Sequence, residues 1–195
     1  GYIVNDDEAL MKIIECLSSP EPKVRTNTIA LLNNLIRLQP TKVQAIFLDS
    51  RAQKLLLNLE DDPVKVIQIY FYNMIPSLVK NNPDIQQVFA FSLIDPLADK
   101  IPSSPNQVLP VIRSLLENNT KIQTLFVQTG HLGKLLPLIK RGVQESIQLL
   151  TLIFRSSEAA SFRSSLLEAG LMQPIIEQSL TTANTIVNDR RSDFL

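Results

Sequence analysis

The chain has 195 residues, 19 basic and 19 acidic, with one histidine, one cysteine and no tryptophan. Zero net charge removes any general electrostatic pull toward nucleic acid or an anionic membrane, and a lone cysteine, Cys16, rules out an internal disulfide framework or a multi-cysteine metal site. No run of about eighteen uncharged apolar residues occurs, so no membrane insertion is expected. The opening GYIVNDDE has neither the basic nor the apolar region of a leader, which leaves cytoplasm or nucleus as the expected compartment.

The first expected helix is EALMKIIECL, with Leu10, Ile13, Ile14 and Leu17 at helical spacing and Asn5 with Glu8 as a capping box. The prolines of SSPEP break it, and Pro22 suits the first turn of a second helix running to about Leu38. Val24, Thr28, Leu31, Leu32, Leu35 and Leu38 form the expected buried stripe of that helix. After Pro40 come TKVQAIFLDS and RAQKLLLNLE, then a break at Asp61, Asp62 and Pro63. Asp62 is the expected N-cap and Pro63 the first position of the helix VKVIQIYFYNMIPSLVK, which Pro76 should bend. The order repeats as NPDIQQVFAFS, LIDPLADKI, the breaker PSSP and NQVLPVIRSLLENN. It repeats again as KIQTLFVQTG, HLGKLLPLIK and RGVQESIQLLTLIFRSS. A last unit reads SFRSSLLEAG, LMQPIIEQSL and TTANTIVNDRRSDFL.

Phe47, Phe89, Phe126 and Leu166 fall at equivalent places on the first short helix of successive units, 42, 37 and 40 residues apart. A period near forty with helices of unequal length is the signature of an armadillo or HEAT solenoid. Gly130 and Gly170 recur at one offset, where such a unit turns sharply between its first two helices; Ser50 and Ser92 stand nearby in the earlier units. The expected fold is therefore all-α, a right-handed α-α superhelix. Residues 1–195 are one domain of about five units, the first and last incomplete. Such a domain is either excised from a longer protein or capped at its ends by flanking sequence or by a second copy, as in a homodimer.

Chemistry is sparse. His131 and Cys16 lie in different units; the first is expected as a partly exposed turn residue, the second as a small buried hydrophobe. Asp61 and Asp62 are explained by capping rather than acid and base work, and five glycines form no phosphate loop. No enzyme activity, cofactor or metal is expected. What remains is protein binding on the wall lined by the third helix of each unit. Lys23, Asn27, Asn34 and Arg37 are spaced to share that wall with Lys65, Tyr72 and Arg113, a set able to hold an acidic or phosphorylated peptide through charge-assisted hydrogen bonds. The plain alternative is a set of solvated polar positions on amphipathic helices. Of Tyr70, Phe71 and Tyr72 at least one should face outward, and Lys134, Lys140, Arg141 and Arg155 are a weaker basic group. Without tryptophan, and with Ala30 and Tyr72 at the ladder positions beside Asn34 and Pro76, the chain departs from armadillo import receptors.

Residues 107–180, with VLPVIRSLLENNTKIQTLFVQTGHLGKLLPLI and LEAGLMQPIIEQSL, resemble the non-catalytic armadillo region of mitotic-exit and septation-initiation protein kinases, a group that includes plant MAP kinase kinase kinase epsilon. The stretch carrying Asp189, Arg190 and Arg191 is similar there too. The resemblance implies a segment that localises a kinase at a spindle pole, centrosome or division site by binding a phosphorylated anchor protein or a small GTPase, with the catalytic part elsewhere. The runs NNPDIQQVF (Asn81 to Phe89) and NNTKIQTLF (Asn118 to Phe126) are similar to armadillo nucleotide exchange factors of DnaK-type chaperones, which implies a whole-domain ATPase partner. EPKVRTNTIALLNNLI is similar to units of formin and ELMO regulatory domains, which implies an adaptor.

Overall fold

The computed structural model describes residues 7–173 and Ile176. Asn5 of the expected capping box, the closing helix TTANTIVNDRRSDFL and the Asp189 to Arg191 stretch lie outside the described residues. Within them the chain is helical and contains no strand. One compact unit takes in the chain up to Ile122, and a second begins at Gln123.

In the first unit α1 (Asp7–Glu15) ends in a 3₁₀ turn and α2 (Pro22–Leu38) follows, with Pro22 at its start as expected. Then come α3 (Pro40–Ile46), α4 (Ser50–Leu57), a 3₁₀ turn Asn58–Asp61, and α5 (Lys65–Val79) with Pro76 inside it. α6 (Pro83–Lys100) and α7 (Pro105–Leu116) complete it, and α8 (Thr120–Gln128) crosses into the second unit. That unit continues through a 3₁₀ turn His131–Leu135, α9 (Leu136–Lys140), α10 (Gln144–Phe154) and α11 (Arg163–Glu168).

The forty-residue period is physical. Phe47, Phe89, Phe126 and Leu166 are all fully buried or nearly so. Phe47 and Phe89 meet edge to face with ring centroids 6.3 Å apart, an arrangement worth about 1 kcal/mol beyond area burial. Gly130 and Gly170 both adopt left-handed backbone, φ +78° and +67°, as the sharp turn requires. Where the earlier units lack glycine, the chain solves the turn differently. Asp49 caps α4, accepting from the N–H groups of Arg51 (2.8 Å) and Ala52 (3.2 Å). In the third unit nothing stops the helix. The two segments expected as NPDIQQVFAFS and LIDPLADKI are one helix, α6, passing straight through Ser92 and Pro96.

Adjacent repeats of the first unit are clamped by a recurring amide pair. Gln44 Nε2 donates to the Leu78 and Lys80 carbonyls (2.8 and 3.0 Å), and Asn82 Nδ2 donates to Gln44 Oε1 (3.1 Å). One repeat on, Gln86 Nε2 donates to Ser114 and Glu117 carbonyls (3.0 and 2.9 Å) and Asn119 Nδ2 to Gln86 Oε1 (3.1 Å). Each clamp answers carbonyls left over at a helix C-terminus. Asn81 and Asn118, both at positive φ, end α5 and α7. The paired NN…Q…F runs thus serve the stacking of repeats.

Several local expectations are corrected. α2 buries Arg25, Thr28, Ile29, Leu32, Leu35 and Ile36, while Val24, Leu31 and Leu38 of the expected stripe are exposed. Asp62 is not the N-cap of α5, which starts at Lys65; its carboxylate takes a two-point fork from Arg25 at 2.7 and 3.0 Å. Cys16 is exposed, its thiol donating to the Lys12 carbonyl, because it sits in the turn that ends α1 rather than on the helix face. His131 is buried, its ring 5.7 Å from that of Phe126. Phe71 and Tyr72 both point inward, and Tyr70 is half-buried.

Candidate functional site

The third helices of the first unit, α2, α5 and α7, lie side by side, α2 packing chiefly on α5 and α5 on α7. They run the same way. Arg25, near the start of α2, pairs with Asp62 just ahead of α5, and Asn33 Nδ2 donates to the Tyr70 carbonyl (3.5 Å). Farther on, Arg37 and Lys80 border one cleft. Each helix buries one face in the stack and leaves the opposite face open.

That open face has a definite composition. Along α2 it shows Val24, Asn27, Leu31, Asn34 and Leu38; along α5, Val66, Ile69 and Asn73; on α7, Asn106 and Arg113. The five aliphatic side chains are 39 to 76% exposed. Residues 24, 31 and 38 are seven apart, which on a 3.6-residue helix puts them on one line. Exposed aliphatics gathered in one patch mark an interaction surface, whereas scattered ones carry no such meaning. A small cleft of about 160 Å³ between α5 and α7, lined among others by Ile69, Asn73, Asn106 and Pro110, gives the patch relief.

Charge adds to it. None of the three helices contains an aspartate or glutamate, although the chain has 19 acidic residues. Their cations are Lys23, Arg37, Lys65 and Arg113, all exposed, and Arg25, which is buried against Asp62. The wall is therefore locally positive on a neutral chain.

Of the residues expected on this wall, Lys23, Asn27, Asn34, Arg37, Lys65 and Arg113 are exposed on the three helices. Tyr72 is buried, and Lys100 Nζ donates to its hydroxyl at 3.4 Å. Burial pushes the Tyr72 phenol up, the Lys100 charge opposing. The same ammonium contacts Glu60 at 2.9 Å and Asp61 at 3.0 Å. Burial would lower Lys100, but its bonds to the two carboxylates outweigh that and raise it. Glu60 is raised, burial outweighing the pull of Lys100. The ammonium of Lys100 at 2.9 and 3.0 Å from the two carboxylates marks an ionised pair. The aliphatic half of the wall was missed in sequence. Its signal was available, because α2 has more apolar positions than one buried face can use.

In the second unit Lys140, Arg141 and Arg155 are exposed and Lys134 half-buried. Among the described residues no group of three or more His, Cys, Asp or Glu is placed to hold a metal ion, and no helix is long and apolar enough to cross a membrane.

Two crystal structures, of Uso1-2 and Uso1-1, are similar to this chain with a TM-score of 0.81 and 19% identity, over 89% of this chain and 30% and 31% of theirs. A designed armadillo repeat protein, YIII(Dq)4CqI, is similar with a TM-score of 0.70 and 18% identity, over 86% of this chain and 73% of that one. The fold is an all-α armadillo-like solenoid. In sequence the chain is similar to the intracellular protein transport protein USO1 of Saccharomyces cerevisiae, 23% identical over 153 residues, which is 73% of this chain and 8% of that protein. No family model matches.

Proposed function

We propose that this chain is a non-catalytic armadillo-like scaffold segment that binds a partner protein along the open faces of α2, α5 and α7, in the service of intracellular protein transport. The observation that carries the proposal is the aliphatic and amide patch on three helices without a carboxylate. Apolar side chains supply affinity through burial. Amides supply register by hydrogen bonding to a partner backbone, and the surrounding Lys23, Lys65 and Arg113 select an acidic segment. The transport setting is supported by the sequence likeness to USO1 over 153 residues. The kinase-localising alternative, at a spindle pole, centrosome or division site, rests on residues 107–180 alone, a shorter stretch outside most of the patch. A scaffold of this kind works in the cytoplasm.

A photo-crosslinking residue placed at Leu31 or Ile69 tests the proposal, with Lys54 of α4 as an exposed control. In extract of the source organism, the two patch positions should join one protein partner that the control does not, and added salt should weaken capture. Equal capture at Lys54, or none at the patch, would refute the assignment.

A further inference from the structure

At the C-terminal ends of α2 and α5 lies a cleft of about 520 Å³. Two cations, Arg37 and Lys80, border it; so do the hydroxyls of Thr41 and Ser77 and the amide of Asn81, and no carboxylate does. Among the described residues neither Arg37 nor Lys80 enters an ion pair. Buried Gln44, held by both of its amide atoms, also lines the cleft and braces it.

The next repeat provides an internal comparison. Matching Gln44 to Gln86 and the α5 end to the α7 end puts Ser114 at the place of Ser77 and Asn118 at that of Asn81, again at positive φ. The frame is thus general to the repeats. The charge is only half carried over: the buried positions of α2 recur in α5 at a shift of 43, so Lys80 stands where Arg37 is, while Glu117 stands where Lys80 is. The glutamine and the left-handed asparagine frame both repeats, while of the two only this cleft sets two cations facing each other without a carboxylate, because the next repeat sets Glu117 opposite Lys80. Two helix C-termini contribute roughly half a negative charge each, less than the two full cations, and two α5 carbonyls are already taken by Gln44.

We propose that this cleft is an anion site that receives a phosphorylated serine or threonine of the partner lying along α2. Two cations with two hydroxyls and an amide suit a dianion with three acceptor oxygens better than a carboxylate with two. Exposed Leu38, at the end of the α2 stripe and adjacent to Arg37, brings the partner chain to the cleft. The proposal rests on the patch binding described above and adds to it a modification-dependent step. Because the second phosphate ionisation lies near pH 6, affinity should fall as pH drops below about 6.

The test uses N-acetyl-phosphoserine amide titrated into the whole chain and followed by amide ¹H–¹⁵N spectra. Saturable shifts at Thr41, Ser77, Lys80 and Asn81 are expected, with none from the unphosphorylated twin. The paired substitution Arg37→Gln with Lys80→Gln should weaken binding about tenfold or more at unchanged melting temperature. No saturable shift, equal binding of acetate, undiminished binding by the double variant, or shifts only around Lys23 and Lys65 would each overturn the site. Binding of the chain to phosphoinositide vesicles, lost in the double variant and without any response to phosphoserine, would also overturn it in favour of a lipid headgroup. Crosslinking from Leu31 that persists undiminished in the double variant would leave the patch standing while the phosphate step falls. Loss of crosslinking in the parent chain would remove the patch itself.

Discussion

At the scale of single residues, the buried fork between Arg25 and Asp62 is the contact whose loss costs most. Arg25 also donates to the carbonyls of Ser19 (2.8 Å) and Pro20 (3.1 Å), and Asp62 accepts from the Val64 N–H (2.9 Å), so one guanidinium ties the turn before α2 to the turn before α5. Arg25→Ala should destabilise the chain by about 3–5 kcal/mol in denaturant unfolding, chiefly because it strands a buried carboxylate. Arg25→Met combined with Asp62→Leu should recover most of that loss. Burial alone would raise the Asp62 carboxyl, but the Arg25 bonds, the Val64 N–H and the Arg25 charge hold it below its usual value. Its contribution is therefore complete above the unfolded carboxylate range near pH 4 and is lost as pH falls through the lower folded value. The neighbouring network is an ionised pair as well. Lys100→Met strands the Glu60 carboxylate, which burial already disfavours, so the variant should lose more stability at pH 8, where the carboxyl is charged, than at pH 4, where it can take up a proton. Neither pair could be read from local pattern. Asp62 beside Pro63 looks like a helix start, and its true partner is 37 residues away.

At the scale of elements, what decides whether a repeat has two short helices or one long one is the residue at the turn. Gly130 takes φ +78° with open space where a side chain would go, so Gly130→Ala should cost about 1–2 kcal/mol from backbone strain alone. Ser92 has no such freedom, and α6 runs on. The period, the four core positions from Phe47 to Leu166 and the proline start of α2 were legible because they are short-range rules of spacing and sterics. The clamps were visible only as repeated NN…Q…F runs. Their role emerges when both ends are seen, since each Gln bonds carbonyls 28 to 36 residues distant. Gln86→Leu leaves the Ser114 and Glu117 carbonyls unanswered and takes from the Asn119 amide one of its two acceptors, the Pro83 carbonyl remaining. A loss of about 1–3 kcal/mol is expected, measured by thermal or denaturant melting.

At the scale of the whole molecule, the error in assigning the α2 stripe and the location of the proposed binding face are one matter. Val24, Leu31 and Leu38 read as core because they are apolar at helical spacing; only stacking on α5 shows that Ile29, Leu32 and Ile36 already fill that role. The exposure of Lys23, Asn27, Asn34, Arg37, Lys65 and Arg113 was legible because such polar residues on a third helix have no place in a core. Its aliphatic members were not, since exposure is a property of the assembled repeats. Leu31→Ser and Ile69→Ser should therefore change stability by less than about 1 kcal/mol while removing partner capture.

The most direct measurement is affinity for the crosslinked partner after charge reversal at the wall, with Lys23→Glu, Lys65→Glu and Arg113→Glu together and the melting curve recorded in parallel. Loss of binding by about a hundredfold, with salt dependence abolished and the fold intact, is the predicted result. Full affinity in a folded triple variant would contradict the assignment of this face as the binding surface.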